Sequence, residues 1–223
     1  MIGSLGLLRR LLAARSGVAA VEFAMSLPVL LTAGLFGTET ANLAVVHMRV
    51  GQLAVQIADN AARIGDTSQL SAHKIYESDI DDLMLGSNIQ AGKLGLFDHG
   101  RVIISSLEVV PGTADKQYIH WQRCKGTKHV NSAYGAEGAG LTGTLNGMGP
   151  PGEEVQAVQG DAVIYVEVTY DYQPLMTDMF TRSGPVHATA AFNVRDSRDL
   201  SQIYQRDPTV PDPVLGCAAF NSF

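Results

Sequence analysis

The stretch VAAVEFAMSLPVLLTAGLFGT, residues 18–38, decides the architecture of this chain because it has the length and composition of a membrane-spanning helix. A helix of about 20 residues crosses the hydrocarbon core of a bilayer. Its large apolar side chains point to every side of a helix, which is typical of a segment surrounded by lipid or by other apolar helices. Pro28, Gly34 and Gly37 are tolerated in such surroundings. We therefore predict a transmembrane helix over residues 18–38.

The charges around this segment predict its orientation. Arg9, Arg10 and Arg15 precede it without an acidic neighbour, and Glu22 is the one other charge before Thr38. Arginines collect on the cytoplasmic side of membrane helices, so we expect a single pass, a cytoplasmic N-terminus and a periplasmic head. The acids farther along give the chain a net charge of −6, which argues against a nucleic-acid partner.

Three fates of the N-terminal segment compete. Signal peptidase I needs small residues around its cleavage site, and TETA, residues 38–41, is a poor match. An uncleaved signal anchor is the second fate. The third is cleavage between Gly17 and Val18, because RSGVAAVEF, residues 15–23, resembles the recognition site of prepilin peptidases: a basic leader, a glycine, then an apolar helix with glutamate as its fifth mature residue.

Residues 17–31, GVAAVEFAMSLPVLL, more closely resemble the opening of TadE-like proteins, the pseudopilins of the tight-adherence (Flp) pilus system. A weaker resemblance to the C-terminal half of such chains lies in VEVTYDYQPL, residues 166–175, and ATAAFNVR, residues 188–195. The resemblance implies a non-enzymatic protein of the bacterial inner membrane that loses its leader, residues 1–17, and assembles or primes a pilus. The large head indicates a minor or tip component, since major Flp pilins are very short.

The same resemblance implies the partners. These would be a prepilin peptidase, the inner-membrane assembly platform with its cytoplasmic ATPase, other pseudopilins and the major Flp pilin. A protein incorporated into the pilus would also reach the cell surface.

Cleavage after Gly17 would give Glu22 a partner. It would expose an ammonium group on Val18, one helical turn or about 6 Å from Glu22. In type IV pilins, which this site resembles, the glutamate is thought to pair with the N-terminal amine of a neighbouring subunit. An unpaired charge in a membrane helix costs about 2.5–3.5 kcal/mol, so the pair would set the axial register of the subunits. The alternative is a carboxylate that lies, or is protonated, at the cytoplasmic lip of the bilayer.

The helical pattern continues over residues 39–64 and predicts a periplasmic extension of the same helix. One apolar stripe, expected to dock on the head, contains Val46, Val50, Leu53, Ile57 and Ile64. A second stripe would admit a neighbouring helix and contains Ala44, Met48, Gly51, Val55, Ala58 and Ala62. A helix buried wholly within its own domain remains the alternative.

Residues 65–223 indicate a small head. We expect a short helix that is capped by Ser78 or Asp79 and ends at Met84. Four β-rich segments predict an antiparallel sheet, and they are Arg101–Val110, Tyr118–Cys124, Ala162–Tyr170 and Val186–Val194. The first two would form a hairpin around Pro111-Gly112. The expected fold class is therefore α+β, with a long pilin-like helix packed on one face of a sheet of about four strands.

Two stretches of the head lack this patterning. Residues 125–160 are rich in glycine and poor in apolar residues, so we expect a long mobile loop outside the core. Residues 196–223 contain three of the chain's nine prolines and predict an extended tail. Cys124 and Cys217 belong to no C-x-x-C pair. A disulfide between them would anchor the tail of an exported head, and two buried free thiols are the alternative.

Other reactive residues form no convincing site. Ser71 and Lys74 match the S-x-x-K of penicillin-binding enzymes, but the supporting S-D-N and K-T-G elements are absent from the sequence. His120, Cys124 and His129 lack the further ligands of a zinc site. The acids of residues 77–82 lack EF-hand spacing and are typical of a solvated helix start. We expect no catalytic residue, metal or cofactor, and the main rival function is a signal-anchored periplasmic binding domain.

Overall fold

The computed structural model describes residues 16–66, 72–176, 184–195 and 197–222, with Ser16 described by its backbone alone. Helix α1 spans Ser16–Ala61, α2 spans Glu77–Ala91, a 3-10 turn spans Gly92–Leu94 and α3 spans Leu96–His99. The strands are β1, Gly100–Val109, β2, Gln117–Lys125, β3, Ala162–Tyr170, and β4, Val186–Asn193. They form one antiparallel sheet in the order β2-β1-β3-β4. The predicted fold class, a long helix on a four-stranded antiparallel sheet, is confirmed.

The described residues belong to two compact units. The first contains α1 up to Ala44 together with residues 174–176, and its helix exposes large apolar side chains, with Phe23 at 60% and Met25 at 74%. The second contains α1 from Val45 onward, α2, α3 and all four strands.

The second unit is layered around the sheet. Successive residues of a strand point to opposite faces, so Val102 and Ile104 of β1 share one face with their partners on β3, Val168 and Val166. All four side chains are buried. This face packs under the helices, where α1 buries the expected docking residues Val46, Val50, Leu53 and Ile57.

The glycine-rich stretch covers the opposite face, and the expectation that it lies outside the core is wrong. Its Met148 and Ala157 pack in one buried cluster with sheet residues, which are Leu107, Ile119, Val163 and Tyr165. Gly140 has a φ of +96°, and a Cβ there would lie 2.3 Å from the Gln117 carbonyl oxygen. Only glycine allows the loop to approach β2 so closely.

The two edges of the sheet differ. On β2, the amide of Ile119 donates to the Ala139 carbonyl and the amide of Cys124 donates to the Leu215 carbonyl, at 2.9 and 2.8 Å. The Gln122 amide between them donates to the Glu137 carboxylate at 3.1 Å. The loop and the tail therefore close this edge, while on β4 no described residue bonds to the outer side of the strand.

The helix boundaries differ from those predicted. The N-cap of α2 is Tyr76, not Ser78 or Asp79 as expected, and the helix begins at Glu77. The Asp79 carboxylate accepts a hydrogen bond from the Tyr76 amide at 3.1 Å and so acts from inside the first turn. The helix also continues to Ala91, well past Met84. The strands match their predicted bounds closely, and β1 and β2 pair as the expected hairpin.

Candidate processing and assembly site

The first turns of α1 carry the residues predicted to be cleaved and to set subunit register. Gly17, Val18 and Glu22 all lie in α1 and are exposed, Val18 by 58%. No neighbouring heavy atom lies within 4 Å of where a Cβ on Gly17 would stand. Val18 and Glu22 are one turn apart and share a side of the helix. The residues on both sides of the Gly17–Val18 bond are thus exposed in the described part of the chain, and the three leader arginines lie outside that part.

The polar side chains that follow Glu22 are satisfied inside α1. The hydroxyl of Ser26 donates to the Phe23 carbonyl at 3.1 Å, and that of Thr32 donates to the Pro28 carbonyl at 2.7 Å. Thr38 bonds in the same way to Gly34, at 2.9 Å. Such bonds allow hydroxyl groups to lie in hydrocarbon, where water cannot solvate them.

By length and composition, this helix could cross a membrane. It contains a span with a mean hydropathy of 1.8 close to the N-terminus. A single-pass anchor fits this finding, and so does a signal sequence, because both place one apolar helix at the start of a chain.

Sequence reasoning missed Glu39. This carboxylate is fully buried and accepts hydrogen bonds from the backbone amides of Leu175 and Met176, all at 3.2 Å. The contact ties α1 to the β3–β4 connection within the first unit. The sequence did contain a sign of this role, because Glu39 is the first charged residue after Glu22. A charge at the end of an apolar run must be solvated or hydrogen-bonded.

Cys124 and Cys217 form a disulfide in the structure, across a separation of 93 residues. Cys124 lies at the end of β2 and Cys217 lies in the tail, so the bond anchors the tail to the sheet. The disulfide also occupies the sulfur that a zinc site of His120, Cys124 and His129 would need. The described residues of the tail form no helix and belong to none of the four strands, as expected for an extended segment.

Arg101 also holds the tail against the sheet, a role that the sequence did not predict. Its side chain is 1% exposed and donates to the carbonyl oxygens of Gly126, Cys217 and Ala219, at 3.0, 2.7 and 2.9 Å. Its guanidinium carbon also lies 4.1 Å from the ring centroid of Phe220. Burial lowers its pKa, and the three carbonyl dipoles replace part of the lost hydration.

The remaining candidate ligands are engaged in structural contacts. Glu77 forms a paired hydrogen bond with Arg123, at 2.5 and 3.0 Å. His120 lies 2.9 Å from Glu108, and His129 stacks on Phe220. No three His, Cys, Asp or Glu side chains in the described ranges are grouped to hold a metal ion, and Ser71 of the S-x-x-K pattern lies outside those ranges.

No family model, curated protein or solved structure matches the chain. The resemblance to TadE-like proteins therefore depends on residues 17–31 and on the weaker similarity at residues 166–175 and 188–195.

Proposed function

We propose that the chain is a TadE-like pseudopilin that is cleaved between Gly17 and Val18 and then assembles or primes a tight-adherence pilus. The observation that carries the proposal is that Gly17, Glu22 and Pro28 occur together in one exposed, apolar N-terminal helix. Cleavage would remove the charged leader and leave this helix on the product, whereas signal peptidase would remove the helix itself.

The exposed side of α1 supports assembly through helix contacts. Val45, Met48 and Val55 are 40, 61 and 48% exposed although they follow the predicted membrane segment. Their spacing of three and seven places them along one side of the helix. Met48 and Val55 belong to the stripe predicted to admit a neighbouring helix, whereas Ala58 and Ala62 of that stripe are buried. The surface that would accept a neighbouring helix therefore ends near Val55.

The proposal places the mature protein in the inner membrane with a periplasmic head. Its partners there are a prepilin peptidase, the assembly platform, other pseudopilins and the major Flp pilin. The head, held together by its own core and disulfide, is the part that distinguishes this chain from a short major pilin.

The mass of the protein recovered from the membrane and soluble fractions of cells that contain a prepilin peptidase tests the proposal. We expect a mature chain that begins at Val18. A Gly17→Val variant should keep its leader, while the matched Gly34→Val variant, equally uncrowded in α1, should be processed normally. A wild-type protein that retains residues 1–17 would favour the signal-anchored domain, and cleavage near Ala41 would indicate signal peptidase.

A further inference from the structure

Two apolar side chains are held beside the end of the predicted membrane segment. Leu175 and Met176 follow β3 and are 58% and 54% exposed. Their backbone amides both donate to the buried Glu39 carboxylate. The backbone at this point is thus fixed to α1, while the two side chains are left exposed.

The position of Glu39 along α1 gives the depth of this contact. Residues 23–38 contain no charged side chain, and Glu39 follows them directly. With residues 18–38 in the hydrocarbon core, Glu39 lies where that core meets the headgroups of the periplasmic leaflet. Leu175 and Met176 are bonded to Glu39 and therefore lie at the same level.

We propose that Leu175 and Met176 form a second membrane contact, which inserts into the periplasmic leaflet beside α1 and is held there by Glu39. This inference rests on the proposed membrane-inserted function. Backbone amides that enter an apolar layer need an acceptor within the protein, and Glu39 supplies one to both. Leucine and methionine side chains would replace water with lipid at a position where α1 itself faces lipid.

Lipid is favoured over a protein occupant because the contact is continuous with the lipid-facing helix. Both elements belong to the same compact unit, and the large side chains that α1 exposes over the last turns before Glu39, which include Leu30, Leu31 and Phe36, are apolar as well. Vesicles that contain no other protein separate the two occupants, since only lipid can then cover Leu175 and Met176.

Quenching by brominated lipids tests the contact. The full-length Leu175→Trp variant is reconstituted in phosphatidylcholine–phosphatidylglycerol vesicles, with some acyl chains brominated near the headgroup. The emission of the native Trp121, measured in the unsubstituted protein, is subtracted. We expect the added indole to lose most of its emission and to shift to shorter wavelength. Protection from bromolipid together with full quenching by aqueous iodide would overturn the inference.

Two matched reporters separate this inference from the proposed function. Leu141→Trp places the same change at a 46% exposed leucine in the glycine-rich loop and should respond to iodide alone. Phe36→Trp lies within the predicted membrane segment and should be quenched by bromolipid. If position 36 is quenched and position 175 behaves like position 141, the second contact is wrong and membrane insertion stands. If position 36 also escapes quenching, membrane insertion fails and the inference fails with it.

Glu39→Ala in the Leu175→Trp background tests what holds the contact. We expect the variant to remain bound to vesicles through α1 and to lose the bromolipid quenching at position 175, because both amides have lost their acceptor. Quenching that survives unchanged would show that Glu39 does not position this segment.

Discussion

Individual buried charges hold the head together in two ways. Arg101 has no acidic partner among the described residues and is stabilised by backbone carbonyls from the loop after β2 and from the tail. Arg123 is paired with Glu77 and also lies 3.2 Å from Glu137, so it joins α2, β2 and the glycine-rich loop. In both cases removal of one side chain leaves buried polar groups without partners, which destabilises more than the contact itself contributes.

At the residue scale, we expect the head to lose stability as pH rises through the pKa of His120. The hydrogen bond to Glu108 raises that pKa above its ordinary value of 6.5. The folded state therefore binds the proton more tightly than the unfolded state. The stabilisation is complete below the unfolded pKa, about 6.5, and disappears above the raised folded pKa. Denaturant unfolding at pH values on both sides of neutrality measures the slope of the free energy of unfolding against pH.

A His120→Gln variant should lose this part of the slope, whereas His47→Gln, at an exposed position of α1, should keep it. Burial also raises the pKa of Glu167, and this produces a decline of the same sign at more acidic pH. An unchanged slope near neutrality in His120→Gln would contradict the assignment.

At the element scale, the glycine-rich loop acts as a layer of the core. Its apolar residues come from separated positions and meet only because turns return the chain to the sheet. Gly147, for example, has a φ of +144° and lies so close to the Val155 carbonyl oxygen that a Cβ would approach it to 2.5 Å. The Met148 and Val155 backbones are then hydrogen-bonded in both directions, at 3.1 and 2.9 Å.

Met148→Ala should therefore lower the free energy of unfolding by about 2–5 kcal/mol, because the side chain is fully buried and its removal leaves a cavity. Urea unfolding of the full chain in detergent measures this change. Leu141→Ala, in the same loop at an exposed position, should change it by less than about 0.5 kcal/mol. Equal effects of the two substitutions would mean that the loop does not pack as described.

Strand positions could be predicted from the sequence because alternation reports burial directly, as in Ile164, Val166 and Val168 of β3. The loop's contribution could not, because Tyr134, Met148 and Ala157 follow no period and contact the sheet only through the folded backbone. The role of Glu39 was equally hidden, since the amides of Leu175 and Met176 that bond to it lie 136 and 137 residues away in the sequence.

At the scale of the whole molecule, the proposed function assigns assembly to one acidic side chain. We expect Glu22→Gln to leave the protein in the membrane, because the apolar helix is unchanged, and to weaken its association with other pseudopilins, because the amide cannot form the ion pair. Co-purification from membranes with a tagged partner measures this association.

Ser26→Ala is the matched control for Glu22→Gln. Its hydroxyl already bonds within α1, to the Phe23 carbonyl, and its loss should leave association intact. Equal recovery of the partner with wild-type protein and with Glu22→Gln would contradict the registry role.

The unequal edges of the sheet limit how copies of this head can join through their strands. The loop and the tail occupy the outer amides of Ile119, Gln122 and Cys124 on β2, whereas within the described ranges nothing bonds to the outer side of β4. A continuous ribbon needs two free edges on every copy. Pairing of two heads β4 to β4 about a twofold axis would close on itself, because each copy would present the same edge to the other. A ribbon that grows by strand addition at β2 would first have to displace the loop and the tail, and the Cys124–Cys217 disulfide holds the tail at this edge.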